Sequence, residues 1–241
     1  MNQDLVIGIP GPWTDSSDFT RKLVTGVEPM GRYLFAGRIL ADSKAKDHVP
    51  LDFCPVDASM AGAFEIAGQG KIPAEVLGEI QRHSSVVYLH FSIDLIDQRE
   101  RILKFTQVIQ QAGGIAVKLE SAGVAHAWDR WFELMSGSPW DVYCASVVLI
   151  GDESNYYSCG MHHYGLPECE VGRSVPIGEA ARLMNMFNFY QISEQPQFSS
   201  GHTFSADESS PIFRLTRSAE SRYDEDDLFH NPHGIWRLDP T

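Results

Sequence analysis

The sequence predicts an α+β fold, with mixed or antiparallel sheets, helices packed on one face, and room for two similar α/β halves. Three observations carry this. Strand-sized runs rich in Val, Ile, Tyr and Phe alternate with segments whose apolar residues recur at three- and four-residue intervals. Two β-rich runs flank the polar stretch Gly151 to Asn155, a hairpin signature. A chain of 241 residues that is 43% hydrophobic holds enough apolar side chains for one large core or two small ones.

The elements follow in chain order. Leu5 to Ile9 reads as a strand ended by Pro10-Gly11-Pro12, and Thr14 or Asp15 offers an N-cap for an amphipathic segment through Val27. Arg32 to Asp42 is β-rich, Ser43 to Val49 a turn or loop, and Leu51 to Val56 its antiparallel partner. Asp57 opens helical territory: Met60 to Ala67 and Pro73 to His83 both show helical spacing, separated by Gly68-Gln69-Gly70. Val86 to Ile93 is a strand. Asp97 to Ala112 places Ile102, Phe105, Val108, Ile109 and Ala112 on one helical face, and Gly113-Gly114 ends it. Ile115 to Leu119 is another strand, and Val124 to Met135 a helix carrying Trp128 and Trp131, which read as core. Val142 to Ile150 and Tyr156 to Met161 form the hairpin, and a helix from Ile177 to Ile192 follows the loop Gly172 to Pro176. Ile212 to Thr216 and Ile235 to Leu238 are short strands around the acidic run Asp224 to Asp227. The chain reads as one globular unit, 1–241, with candidate subdomains 1–120 and 121–241.

Charge narrows the function classes. Lys+Arg number 19 against 32 Asp+Glu, a net charge of −13, which repels phosphate backbones and anionic lipid. Direct nucleic-acid binding and membrane binding are therefore not expected. Residues 1–120 hold 15 acids and 12 bases, whereas 121–241 hold 17 acids, 7 bases and no lysine. The opening MNQDLVIGIPGPW has no basic leader, and no stretch approaches the ~18 apolar residues of a membrane span. A cytoplasmic location with four reduced thiols, Cys54, Cys144, Cys159 and Cys169, is expected.

Motifs for chemistry fail one by one. Gly8-Ile9-Pro10-Gly11 lacks dinucleotide-loop spacing, and its prolines remove donors a phosphate needs; it reads as a tight strand-to-helix loop. Gly70-Lys71 has Glu65 and Ile72 where a phosphate loop needs Gly and a hydroxyl. Cys159, His162, His163 and Cys169 are the one cluster with ligand chemistry, but adjacent histidines in an extended segment point to opposite faces and no second ligand pair follows. His230 and His233 flank Asn231-Pro232 in a loop. No Gly-x-Ser-x-Gly elbow or cysteine signature is present. Glu168 and Glu170, two apart, share one face of a strand, and as an isolated carboxylate pair they are expected on the surface. No catalytic residue, cofactor or metal is expected.

The stretch Gly114 to Val171 contains GGIAVKLESAGVAHAWDRWFELMSGS, the hairpin, and YYSCGMHHYGLPECEV. It resembles a bacterial family catalogued only as a domain of unknown function. Its members carry a similar strand, a Ser-Ala-Gly-Val helix entry and a Gly-x-x-x-x-Gly-x-Pro-Glu-x-Glu-like segment, represented here by Gly160, Gly165, Pro167, Glu168 and Glu170. The resemblance covers roughly residues 85 to 190 and implies an α+β fold without established chemistry. In size and acidity the chain is also similar to immunity proteins of type VI secretion toxin pairs, in particular to partners of restriction-endonuclease-like DNases. That similarity implies a basic, nuclease-like toxin as partner. Tyr223, Asp224, Glu225, Asp226, Asp227 and Phe229 are the candidate contact surface, joining charge for steering to aromatic area for a hot spot; the competing reading of this run is a solvated, mobile tail. The competing expectation is an enzyme or small-ligand protein using Met161 to Glu170 as a pocket wall.

Overall fold

The computed structural model describes residues 4–241, an α+β chain of helices and two sheets. It divides into two compact units, one running to Gly137 and the other from Ser138 to Thr241; the sequence reading drew its subdomain line near residue 120.

The first unit is built on a seven-stranded sheet. Its strands are β1 (Asp4–Gly11), β2 (Tyr33–Phe35), β3 (Ile39–Asp42), β4 (Asp47–Pro55), β5 (Ser85–Ser92), β6 (Val117–Leu119) and β7 (Val124–His126), in the order β2-β3-β4-β5-β1-β6-β7. The pairs are antiparallel, and β1 lies against β5 in the register Leu5↔Phe91, Ile7↔Leu89, Ile9↔Val87. Helices α1 (Ser16–Gly26), α2 (Met60–Ala67), α3 (Ala74–Ile80), α4 (Leu95–Gln111) and α5 (Trp128–Ser136) cover both faces. On one face Phe105 of α4 meets Phe91 at 6.5 Å between centroids, and Phe19 of α1 meets Phe53 at 5.7 Å. On the other, Met60, Phe64 and Ile80 of α2 and α3 bury Val86, Ala116 and Ala125. A sheet covered on both sides has no polar alternation, which is why Leu5 to Ile9 and Val86 to Phe91 read as near-continuous apolar runs.

The second unit carries α6 (Pro139–Ser146), β8 (Val148–Gly151), β9 (Asn155–Cys159), β10 (Glu168–Gly172), α7 (Ile177–Glu194), β11 (Thr203–Phe204), β12 (Phe213–Ser218) and β13 (Ile235–Pro240), with sheet order β11-β12-β13-β10-β9-β8. β10 and β13 are parallel, and the other pairs antiparallel. Helix α7 covers one face, where Leu183, Met184 and Phe187 pack on Cys169, Val171, Leu215, Trp236 and Leu238.

Several boundaries differ from expectation. Gly8-Ile9-Pro10-Gly11 lies within β1 instead of forming a loop. The span Arg32 to Asp42 is split into β2 and β3 around Gly37, whose φ of 70° supplies the turn. Val124 to His126 is strand β7, paired Val117↔His126, and the helix begins only at Trp128. Both tryptophans are core: Trp131 Nε1 donates to Thr106 Oγ1 at 3.1 Å and Trp128 Nε1 to Gly114 O at 2.7 Å. The expected hairpin strand from Val142 is helical to Ser146, because Ser138 and Asp141 form a reciprocal capping box and Pro139 occupies the first turn. Replacing Ser138 by Ala is expected to lower the stability of the second unit by about 1 kcal/mol; urea unfolding followed by circular dichroism measures it, and an unchanged midpoint would show that the cap contributes nothing.

Candidate functional site

In the second unit, strand period two turns Cys169 and Val171 toward α7 and Glu168 and Glu170 to the opposite face. Both glutamates are buried, at 7% and 6% exposure, instead of lying on the surface as expected. Buried carboxylates need donors, and their donors organise the site.

Glu168 Oε1 accepts from the backbone N–H of Gly160 at 3.1 Å and of Met161 at 2.9 Å, and from Asn231 Nδ2 at 3.0 Å. Its Oε2 accepts from Ser158 Oγ at 2.7 Å. The backbone donors open a short 3₁₀ turn, Met161–Tyr164, bracketed by Gly160 (φ 121°) and Gly165 (φ 67°). A Cβ on Gly160 would lie 2.3 Å from Ser146 O, so both conformation and space require glycine there. The Gly-x-x-x-x-Gly-x-Pro-Glu pattern is thus a turn and the carboxylate that ties it down. Burial raises the Glu168 pKa; His162, with Nδ1 3.6 Å from Oε1, together with Ser158 and Asn231, outweighs it, and the carboxyl titrates below its ordinary range.

Glu170 is held between two arginines, accepting from Arg222 and, at 2.9 Å, from Arg237 Nε. Arg222 also pairs with Asp152 and lies over the Tyr157 ring, 4.1 Å from its centroid. Beyond it Tyr223 meets Tyr157, hydroxyl to hydroxyl at 3.1 Å, and packs on Phe229 with centroids 5.3 Å apart and ring planes tilted by 50°. Burial and the Tyr157 contact push the Tyr223 phenol well above its ordinary pKa. Ser221 to Asn231 therefore forms a strap across the sheet face opposite α7, fixed at one end by Arg222 and Tyr223 and at the other by Asn231, which is 2% exposed and also bonds Leu166 O at 2.9 Å.

Between these anchors Asp224, Glu225, Asp226 and Asp227 are all exposed. Their turn is closed by Asp227 N–H to Asp224 O at 3.0 Å, and the Asp227 carboxylate accepts Phe229 N–H at 2.8 Å. Among the described residues, no ion pair involves these four acids. The structure brings the two groups of sequence-selected residues together: Glu168 and Glu170 hold the strap on which the acidic run rides. Ser158, Arg222, Asn231 and Arg237 were not singled out, although arginine and asparagine flanking the acidic run were a usable signal.

The cysteine and histidine cluster does not converge. The β9–β10 register, Glu170↔Tyr157, places Cys159 and Cys169 on opposite faces, and among the described residues no three His, Cys, Asp or Glu side chains form a metal-binding group. His162 and His163 lie on the 3₁₀ turn, not an extended segment, with rings edge to face and centroids 4.1 Å apart. Burial and the neighbouring His162 drive the His163 pKa well down, and burial lifts both buried thiols. Beside Glu168, Tyr157 and Tyr223 enclose a cavity of about 10 Å³, no larger than one water. Among the described residues, no helix is long and apolar enough to cross a membrane. Comparisons with protein-family models, curated proteins and solved structures return no match.

Two outcomes follow from this geometry. Unfolded, non-reduced protein is expected to titrate four thiols and elemental analysis to find no stoichiometric zinc; fewer thiols or one bound zinc would overturn the reading of the cluster. Because the folded-state pKa of Glu168 is depressed, its contribution is complete above the ordinary glutamate pKa of ~4.3 and is lost as pH falls through the lower folded value. Glu168→Gln is expected to cost about 3 kcal/mol at neutral pH and to flatten the acid limb of a melting-temperature profile; a variant with an unaltered acid limb would assign that limb to other carboxylates.

Proposed function

We propose that this protein is an immunity protein, an antitoxin that binds and blocks a cognate secreted toxin, and that the toxin is a basic nuclease effector of a type VI secretion system. The observation that carries the reading is the acidic strap: four consecutive exposed carboxylates on a segment fixed at both ends by buried polar contacts. The similarity in size and acidity to immunity proteins supplies the toxin class.

A nuclease needs a basic groove for phosphates. An anchored acidic projection on a unit holding 15 acids against 6 arginines and no lysine complements such a groove, steers toward it and excludes nucleic acid. Fixing the strap before binding also reduces the conformational entropy lost on association. The work of this surface is binding in the cytoplasm, without catalysis or cofactor. The alternative reading, a ligand pocket at residues 161–170, gains no support from a turn whose Met161 to Tyr164 are all buried.

The test begins with a pull-down using the product of the neighbouring gene, then measures surface-immobilised binding kinetics at several salt concentrations. Replacing Asp224, Glu225, Asp226 and Asp227 by Asn or Gln is expected to slow association about tenfold at low salt and to reduce its salt dependence, with dissociation changing less. Thermal melting is the folding control. An unchanged association rate in the four-site variant removes the strap from the interface, and salt-independent association of the unaltered protein defeats steering.

A further inference from the structure

A second feature lies in the first unit and does not depend on the toxin reading. Strand β3 is shorter than β4: its register ends at Ile39↔Pro50, leaving the second half of β4 without a strand on that side. Leu51 N–H still reaches Arg38 O at 2.9 Å. Strand alternation therefore turns the N–H and C=O of Phe53 to the same open side. There they meet a groove of about 570 Å³, bounded by β4, the β2–β3 turn and the first turn of α1. That volume falls in the range of small-molecule sites.

The walls define a ligand chemistry. Phe35 and Phe53 line one side as half-buried rings, each braced by the buried Phe19 at 5.4 and 5.7 Å between centroids. Ser16, Ser17 and Thr20 of α1 also line the groove, with the Thr20 hydroxyl donating to Ser16 O at 2.7 Å. The rim carries Arg38 and Asp52, joined through Arg38 Nε and Nη2 to Asp52 Oδ1 at 3.2 and 2.9 Å. Arg38 and Asp52 are the charged residues lining the groove; they pair with each other, and Asp52 Oδ2 also meets His90 Nε2 at 3.1 Å. The helix terminus is closed to anions, since the Asp15 carboxylate already accepts Ser17 N–H at 2.9 Å and Asp18 N–H at 2.8 Å. With Arg38 and Asp52 engaged with each other and the α1 terminus capped by Asp15, the groove offers no uncompensated charge to an anion or a cation. A neutral molecule with many donors and acceptors and one apolar face needs none.

We infer that this groove binds a neutral polyhydroxyl ring, the chemistry of a saccharide. The ring's C–H face lies on Phe35 and Phe53, whose π surfaces present partial negative charge. Its hydroxyls pair with the Arg38–Asp52 fork, the Phe53 main-chain groups and the serines of α1.

Saturation-transfer NMR and calorimetry with glucose, galactose, mannose and N-acetylglucosamine test this, with inorganic phosphate and free arginine as charged probes. At least one sugar is expected to bind with a millimolar or tighter Kd while both charged probes do not. Arg38→Ala, at a side chain 83% exposed, is expected to weaken that binding about tenfold and leave the melting temperature unchanged. Ser17→Tyr, placing a ring at the groove mouth, is expected to abolish it. The inference is overturned if none of the sugars binds, if phosphate or arginine binds instead, or if both variants retain full affinity.

Discussion

The second unit depends on the burial of Glu168. An ionised carboxylate removed from water costs several kcal/mol unless donors replace its hydration, and one missing donor leaves much of that cost standing. Its four hydrogen bonds come from three places in the chain: Ser158 on β9, Gly160 and Met161 at the turn, and Asn231 just before β13. The first three are local. Asn231 lies 63 residues away, so satisfying Glu168 requires the chain to complete α7, β11 and β12 and then return across the open sheet face. The strap is the last part of that return, after which β13 pairs antiparallel with β12 and parallel with β10.

Glu170 applies the same constraint one step along the strand. The Glu170↔Arg237 register sets a carboxylate beside a guanidinium on adjacent strands, and Arg222 closes the arrangement from the strap. Arg222 also stacks on Tyr157, so its planar head satisfies a charge and covers an aromatic face together. Lysine at 222 would keep the charge and lose the fork and the stack. The first unit repeats the device at Asp42, fully buried, which accepts from Arg32 Nε and Nη2 at 2.8 and 2.6 Å and from the backbone N–H of Lys44 and Ala45 at 3.1 Å, with Lys104 of α4 3.8 Å away; its central strands bury aliphatic side chains on both faces.

What the sequence made legible follows from what is local. The helix from Asp97 to Ala112 matched α4, because its apolar face repeats over four turns and glycines end it. Val124 to His126 was misread because Ala125, Trp128 and Trp131 fall at helical spacing by coincidence across a strand and a helix. Val142 to Ser146 was misread because Val and Tyr favour strands, while the reciprocal Ser138–Asp141 cap lies before the apolar run and overrides that preference. At the site, the shared face of Glu168 and Glu170 was readable from period two. Their partners were not, because Arg222 and Arg237 lie 52 and 67 residues from Glu170, and single-sequence patterning carries no register between distant strands.

The same separation explains why Tyr223 and Phe229 read as an exposed hot spot although their rings pack back toward the sheet. A Tyr beside four acids has the composition of an interface, but its hydroxyl meets Tyr157 and its ring meets Phe229. The aromatic pair therefore anchors the loop and leaves the carboxylates, with Leu228 at 52% exposure, as its outward surface. This division bears on how the strap engages a basic surface in the proposed reading. Exposed carboxylates keep their water in the free protein and lose only part of it at an interface rim, so their field acts over distance and chiefly on encounter. The buried anchors face the sheet and hold the charges in one arrangement. Rate and geometry thus reside in different residues of a single short segment.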